Sequence, residues 1–198
     1  GIRLSGHKAL LATLYLLHKT EEAKRVYLPV WAPDIADYLF DGMIIERGKQ
    51  IGMKVNDLMQ YDFIGTGQGS FIFREFSLIS DAIYAGVKIM QMLAQTGMSL
   101  SEVLAQIPDF YYLVHEVHCP ARLKGKMMRK FREESEGHEA SFVDGVKIRF
   151  DARTWILMIP DQHADSLHLF VQSDDAQDGE ALYRDFIQKI ERWIAEDA

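Results

Sequence analysis

The chain has 198 residues, enough for one sizeable domain or two small ones, and 48% of them are hydrophobic, which is ample material for a core. Its net charge is −7, and the basic run at residues 124–132 is followed at once by glutamates, so we expect no nucleic-acid partner. The single cysteine, Cys119, excludes an internal disulfide framework and fits a reducing cytoplasm. The longest apolar run, residues 9–17, is too short to span a bilayer and follows no signal-peptide pattern. We therefore expect a cytoplasmic protein without a membrane partner.

The first half of the chain alternates helical and strand patterns. A helix is predicted after Ser5, a plausible cap, with one apolar stripe formed by Leu10, Leu11, Leu14 and Leu17. Strands are predicted at residues 25–33, 42–48 and 61–65, separated by helices at residues 33–40 and 51–59, the first with Pro33 in its first turn. Strands that alternate with helices indicate parallel βαβ units.

A boundary is predicted after the longest helix of the first half. That helix is indicated by apolar residues at helical spacing, namely Ile79, Ile83, Val87, Met90 and Ala94. Gly97 is a stop signal, Ser99 or Ser101 is a cap for a short helix, and Pro108 ends it. We predict two domains, residues 1–105 and 106–198.

The second half follows a different order. It predicts a strand at residues 111–118, a helix at 121–136, a hairpin turning at Asp144-Gly145 or Asp151-Ala152, and a strand at 167–172. A final helix places four apolar residues on one face, namely Leu182, Phe186, Ile190 and Trp193. The predicted fold class is therefore α/β, followed by an α+β module with a small, mostly antiparallel sheet.

The segment FIGTGQGSFIFREF, residues 63–76, places glycines at alternate positions, Gly65, Gly67 and Gly69. It is not G-x-G-x-x-G, a strand rather than a helix is predicted after it, and no Gly-Lys-Ser/Thr is present, so it matches neither phosphate-binding template. Spacing alone favours a connection that needs positive φ.

Other candidate sites favour structural interpretations. His115 and His118 are three apart on a predicted strand, so they point to opposite faces and cannot share one zinc ion. Residues 161–165, DQHAD, could bind a metal, but a solvated turn is the better interpretation. Cys119 has no base partner nearby in the sequence and is interpreted as structural. We assign no metal ligand and no catalytic residue.

The order of segments says more than these residues do singly. One framework runs along the chain and consists of these segments in order: the helix LSGHKALLATLYLL, the segments VYLPVWAPDIADYLF and IIERGKQIGMKVNDLM, the strand FIF, and the hairpin DGVKI with its following Trp strand. From Leu4 to Trp193 this framework resembles the third and fourth domains of the α-D-phosphohexomutase superfamily. The resemblance implies a third domain of βαβ units with a mixed sheet, and a smaller fourth domain with a mostly antiparallel sheet and helices.

The family interconverts hexose 1- and 6-phosphates with a phosphoserine and a magnesium loop, D-G-D-x-D-R, neither of which occurs in these residues. Its sugar-recognition loop, G-E-x-S-G-H, resembles residues 65–70. Aligned on FIF, the glutamate becomes Thr66, the serine Gln68 and the histidine Ser70, while Gly67 takes the variable position and Gly65 and Gly69 keep their type. The resemblance thus implies a degenerate sugar loop.

The family's phosphate loop, R-P-S-G-T-E-P, is also changed. Aligned on Trp155 and Pro160, its arginine becomes Ile159, and its following residues become Asp161, Gln162, His163, Ala164 and Asp165. A phosphate dianion binds donors and positive charge, so an isoleucine and two carboxylates oppose it. The resemblance implies a degenerate phosphate loop at Asp161, Gln162 and His163.

Three hypotheses follow. In the first, the chain is a non-catalytic binding or regulatory module attached to a sugar-1-phosphate nucleotidyltransferase, as in a mannose-1-phosphate guanylyltransferase-like fusion. In the second, it is part of an active phosphomannomutase or phosphoglucomutase whose other domains supply the serine and the metal. In the third, it is a structural or oligomerising module. The expected partners are a hexose phosphate and N-terminal domains of the same polypeptide. No cofactor is expected in this chain, and magnesium is expected only if the whole protein is an active mutase or nucleotidyltransferase.

Overall fold

A computed structural model describes residues 3–49, 55–65 and 69–197. By their internal contacts the residues form two units, Gly1–Pro108 and Asp109–Ala198. This division falls in the segment where the stop, cap and proline signals lie. The assignment of family domains to residues 1–105 and 106–198 stays a prediction.

The first unit contains a mixed four-stranded sheet with the order β2-β1-β3-β4. Its strands are β1 (Arg25–Pro29), β2 (Ile44–Gly48), β3 (Phe63–Gly65) and β4 (Phe71–Phe73). β1 pairs in parallel with β2 and β3, and β4 runs antiparallel to β3. Parallel neighbours need crossovers, and the short helices α2 (Ala36–Leu39) and α3 (Val55–Leu58) lie in them. The predicted βαβ units and mixed sheet are confirmed, although residues 50–54 of the second crossover lie outside the described residues.

Helix α1 (Gly6–Lys19) is an apolar helix of this unit. It buries the predicted stripe of Leu10, Leu11, Leu14 and Leu17. Ser5 takes the N-cap position, as predicted, but its hydroxyl lies 3.2 Å from His7 Nε2 and bonds no helix amide. Burial, with the charge of Lys8, lowers the pKa of His7 to about 4. The stripe therefore positions α1, and the serine contributes no side-chain cap.

The segment between α4 (Ala82–Thr96) and α5 (Leu100–Leu104) has the predicted signals. Gly97 ends α4 in the left-handed region, with φ of 67°. Ser99 and Glu102 form a capping box at the start of α5: the Glu102 amide donates to Ser99 Oγ at 3.3 Å and the Ser99 amide to Glu102 Oε2 at 2.7 Å. The helix stop and the helix start are confirmed.

Helix α4 buries a charge. The side chain of Lys88 is 7% exposed, and its Nζ lies 2.5 Å from a Glu22 carboxylate oxygen and 2.7 Å from Glu75 Oε1. Tyr84 donates its hydroxyl proton to the same Glu75 oxygen at 2.7 Å. Ile79 lies before the start of α4, so its predicted place on the helix is wrong. The other four predicted apolar residues share a face, as their spacing indicates, but that face is exposed. The helix thus packs on the unit around an ion-paired lysine.

The second unit contains a five-stranded antiparallel sheet with the order β5-β9-β8-β7-β6. Its elements are β5 (Tyr111–His118), α6 (Ala121–Glu133), β6 (Glu139–Ser141), β7 (Val146–Arg149), β8 (Trp155–Pro160), β9 (Ser166–Ser173) and α7 (Ala176–Asp197). Both predicted turn positions are used, the first between β6 and β7 and the second between β7 and β8. The predicted α+β fold with an antiparallel sheet is confirmed.

Alternate residues of the second sheet pack against α6 and α7. The core contains Leu123, Met127 and Phe131 of α6, with Phe186, Ile190 and Trp193 of α7. Leu182 packs against this cluster, so the predicted apolar face of the final helix is confirmed.

In both units the described helices include none that is long and apolar enough to cross a membrane.

Lys88→Met tests the buried ion-pair cluster. At pH 7 we expect the free energy of unfolding to fall by about 1–3 kcal/mol, because Glu22 and the half-exposed Glu75 lose the buried cation that they share. The Lys88 ammonium lowers the pKa of Glu75, so this contribution is present above the ordinary glutamate range and is lost as pH falls through the folded-state pKa.

Urea unfolding of both proteins at pH 7 and pH 3.5 measures the effect, and the difference in stability should shrink at the lower pH. Lys24→Met is the control, because this exposed side chain should change stability by less than about 0.5 kcal/mol. An equal loss at both pH values would contradict the ion-pair explanation.

Candidate functional site

The glycine-rich segment joins β3 to β4 at the edge of the sheet where the parallel strands end. Gly65 is the last residue of β3 and pairs with Phe71, the first of β4. Open α/β sheets bind ligands outside the carboxyl ends of their strands, so this position suits a binding loop. Gly69 and Ser70 are exposed there. Thr66, Gly67 and Gln68 lie outside the described residues, so their part in a sugar loop stays a prediction.

Two of the loop glycines have backbone or packing reasons of their own. A Cβ at Gly65 would lie 2.7 Å from Leu10 Cδ1 and 3.0 Å from Leu28 Cδ2, so only glycine lets β3 pack this closely against α1 and β1. Gly69 has φ of 90°, in the region that favours glycine. This agrees with the interpretation from spacing, in which the glycines serve the connection itself.

The phosphate-loop segment joins β8 to β9 and folds around a carboxylate of its own. Asp161 Oδ1 accepts hydrogen bonds from the backbone amides of His163 and Ala164, both at 2.7 Å. Asp161 Oδ2 lies 2.9 Å from Nε2 of His168, on β9. Both oxygens of this side chain are therefore occupied by donors from the same loop and strand.

A lysine from α6 holds the loop from the other side. Lys124 Nζ donates to the carbonyl oxygen of Asp161 at 2.7 Å and also to that of Ala164. Asp165 Oδ1 accepts the amide proton of Ala121 at 3.1 Å, at the start of α6. These contacts fix the loop to the helix and direct the lysine charge at backbone carbonyls.

The electrostatics of the loop follow from these contacts. The hydrogen bond with His168, together with the amides of His163 and Ala164, holds the pKa of Asp161 well below its usual range. Asp161 is therefore ionised at physiological pH. Ile159, aligned with the family's arginine, pairs across the strands with His168, whose imidazole bonds Asp161.

The predicted phosphate-loop residues differ in burial and in their contacts. Asp161 is half-buried and organises the loop, whereas Gln162 and His163 are exposed. Sequence reasoning missed His168 and Lys124, which both contact the loop. Counting the hairpin register from Ile159 would have found His168. Lys124, 37 residues before Asp161, gave no local signal.

The other candidate residues have structural surroundings. The His115 ring packs against Tyr183 of α7 at 5.5 Å, while His118, on the other face of β5, is exposed. Cys119 is fully buried, and burial raises the pKa of its thiol. Within residues 3–49, 55–65 and 69–197, no three His, Cys, Asp or Glu side chains are placed to hold a metal ion.

Comparison with known sequences gives one consistent group of relatives. Residues 51–111 match the family model described as phosphoglucomutase/phosphomannomutase, alpha/beta/alpha domain III. The chain is 26% identical over 204 residues to a phosphoglucosamine mutase of Methanococcus maripaludis, covering 98% of this chain and 45% of the relative. It is 25% identical to that of Methanococcus vannielii, with 97% and 45% covered. The chain spans about half the length of the curated relatives it matches.

Solved structures show the same fold. A phosphoglucomutase/phosphomannomutase family protein from Burkholderia thailandensis superposes with a TM-score of 0.72 at 13% identity, covering 98% of this chain and 43% of that one. The N-acetylphosphoglucosamine mutase of Aspergillus fumigatus, in complex with GlcNAc-6P and magnesium, gives a TM-score of 0.59 at 11% identity, with 96% and 47% covered. At these identities the likeness concerns the fold alone.

Gly65→Ala tests the packing explanation for the first loop glycine. We expect a loss of about 1–3 kcal/mol in the free energy of unfolding, because the new methyl group would displace two buried leucines. Gly125→Ala is the control: its Cβ meets nothing within 4 Å, and alanine in a helix should stabilise by about 0.5–1 kcal/mol. Chemical unfolding measures both, and an unchanged Gly65→Ala midpoint would show that the leucines accommodate the methyl group.

Asp161→Asn tests the organising carboxylate. We expect the second unit to unfold at a lower denaturant concentration at pH 7, because the amide removes the negative charge beside His168. The pKa of Asp161 is lowered in the fold, so its contribution is present above the ordinary aspartate range and is lost as pH falls below it. The midpoints of variant and native chain, read from Trp fluorescence, should approach each other below about pH 4. A midpoint difference that is constant with pH would argue against a charge effect.

Proposed function

We propose that this chain, which resembles the α-D-phosphohexomutase superfamily along nearly its whole length, is a non-catalytic regulatory or binding module of a sugar-phosphate-handling protein. In this proposal its two domains keep the family's framework, and its phosphate loop no longer takes a phosphate. The module is joined to N-terminal domains of the same polypeptide, with a sugar-1-phosphate nucleotidyltransferase as the attached enzyme. Cytoplasmic localisation belongs to the same proposal.

The contacts of Asp161 are the observation that carries this proposal. A phosphate bound at this loop needs backbone amides and a cationic side chain. The amides of His163 and Ala164 and the imidazole of His168 already bond the Asp161 carboxylate, and Lys124 bonds two carbonyls. An incoming dianion would have to displace an ionised carboxylate from its donors and then lie beside it.

The substitutions in the loops support the same conclusion. Ile159 carries no charge where the family alignment has arginine, and an ion pair lost from a binding site costs about 2–5 kcal/mol. In the sugar loop, Thr66, Gln68 and Ser70 replace the aligned glutamate, serine and histidine. Each change removes or alters a side chain that would face a ligand.

The mutase relatives favour one alternative. Phosphoglucosamine mutases match along nearly the whole of this chain, and the alternative proposal is that the chain forms part of an active mutase. In that case the phosphoserine and magnesium would come from outside these residues, and a hexose phosphate would contact the loops at residues 65–70 and 161–163. The present proposal assigns no cofactor to this chain.

Titration with sugar phosphates separates the two proposals. We expect no shift of loop amides in NMR spectra of the native chain with GlcNAc-6P, mannose 6-phosphate or glucose 1-phosphate at pH 8. Ile159→Arg with Asp161→Ser should introduce binding with a dissociation constant of about 1 mM, because it adds a cation and frees the loop amides. A second titration at pH 6 tests binding where histidine side chains in general carry more positive charge.

Val143→Arg with Asp178→Ser is the matched control, since it makes the same charge change at exposed positions outside the loop. Sugar-phosphate binding by the native chain at pH 8, abolished by changing Gln162 and His163, would overturn the closed-loop proposal and favour the active mutase.

A further inference from the structure

A cleft opens in the first unit at the edge of the sheet where the parallel strands begin. It has a volume of about 530 Å³ and is lined from the end of α1, the start of β3 and the segment that follows β4. The glycine-rich segment lies at the opposite edge, where the parallel strands end, so the cleft is separate from the candidate sugar loop. Its volume is within the range of sites that bind small molecules.

Apolar side chains form part of the lining of this cleft. Leu17 and Phe73 are buried, whereas Met59 is 51% exposed and Phe76 is 56% exposed. The Phe76 ring stacks on Tyr84 with the ring centroids 4.1 Å apart, so one face of the ring is covered and the other is left for a contact in the cleft. The cleft therefore offers an apolar body of a ligand an aromatic ring that is already held in place.

The charged groups of the cleft carry an excess of negative charge. The carboxylates of Glu22, Asp62 and Glu75 line it, and Arg74 is the one cation among the described residues that do so. Lys88 lies between Glu22 and Glu75, and with it these five groups have a net charge of −1. Each glutamate gives one carboxylate oxygen to the lysine, Oε2 in Glu22 and Oε1 in Glu75. The other oxygen of each side chain is left for a second donor.

We propose that this cleft binds a small organic cation, in which a primary ammonium group is attached to an apolar or aromatic body. The ammonium donates charge-assisted hydrogen bonds to Glu22 and Glu75, and the apolar body contacts Phe76 and Met59. The bonds from Lys88 and Tyr84 hold the pKa of Glu75 below its ordinary value, so this carboxylate is ionised at neutral pH. The open face of an aromatic ring also attracts a cation.

The contacts of Arg74 disfavour an anionic ligand in the same cleft. Its Nη2 bonds Asp62 Oδ1 at 2.5 Å, and its Nη1 donates to the carbonyl oxygen of Met59 at 3.3 Å. The charge of this arginine is thus matched by a carboxylate of its own unit, and an incoming anion would also meet the carboxylates of Glu22 and Glu75. A sugar phosphate is therefore excluded here by charge, which makes this site independent of the proposed function.

Three probes that share a phenyl ring test the charge preference. In NMR titrations of the native chain at pH 7, 2-phenylethylammonium should shift the amides of the residues that line the cleft, with a dissociation constant of about 1 mM. The anion 3-phenylpropionate and the neutral 2-phenylethanol should bind at least about tenfold more weakly, because neither supplies a cation to the two glutamates. No shift of these amides by the ammonium probe up to about 20 mM, or equal binding of the anion, would overturn the proposal.

Two variants test the assigned contacts separately. Glu75→Gln removes one of the two carboxylates, and Phe76→Ala removes the exposed ring while it leaves the ion pairs of Lys88 in place. Each should weaken binding of 2-phenylethylammonium by about tenfold. Glu21→Gln is the matched control, since it makes the same charge change at an exposed glutamate outside the cleft and should leave the dissociation constant unchanged. An unchanged affinity in both Glu75→Gln and Phe76→Ala, or an equal loss in Glu21→Gln, would contradict the site.

Discussion

The carboxylate of Asp161 accepts hydrogen bonds from two backbone amides with one oxygen and bonds His168 with the other. The conformation of the loop between β8 and β9 depends on these contacts. A loop rich in exposed amides is an anion site by default. Here the anion is part of the chain, supplied at fixed geometry and without the entropy cost of binding. The donors of this loop are therefore satisfied within the chain.

A comparable internal pairing organises the first unit. Lys88 brings its charge under α4 and pairs with Glu22 and Glu75, which fixes the helix against the loops before β1 and after β4. Lys88 is the one charged residue of α4, and it is buried. The exposed side of the helix carries apolar and neutral side chains. In both units, a charged side chain bonds groups of the same unit: Lys88 bonds two carboxylates, and Asp161 bonds two backbone amides and His168.

Much of the fold could be predicted from local patterns. Gly97, Ser99 and Glu102 mark a helix end and a helix start through contacts made within a few residues, so their outcome needed no knowledge of the tertiary structure. Strand and helix periodicity similarly predicted the α/β and α+β halves. Less of the candidate site could be predicted. The loops could be placed by their framework, but Asp161 was seen only as a charge opposed to phosphate, and its role as the loop's organiser depends on His168 and on amides that only a folded turn brings together.

By itself the sequence determined the order of the elements, the family framework and the identity of the exchanged loop residues, because these depend on spacing and residue type along the chain. The tertiary structure decided which partners the charges take and which faces are covered. Periodicity shows that Ile83, Val87 and Met90 share one side of a helix, but whether that side meets the core depends on residues distant in the chain, here the pairing of Lys88 with Glu22. Lys124 reaches the Asp161 loop for the same reason. Electrostatic and packing energies depend on distance in space, and the sequence specifies that distance only after the chain has folded.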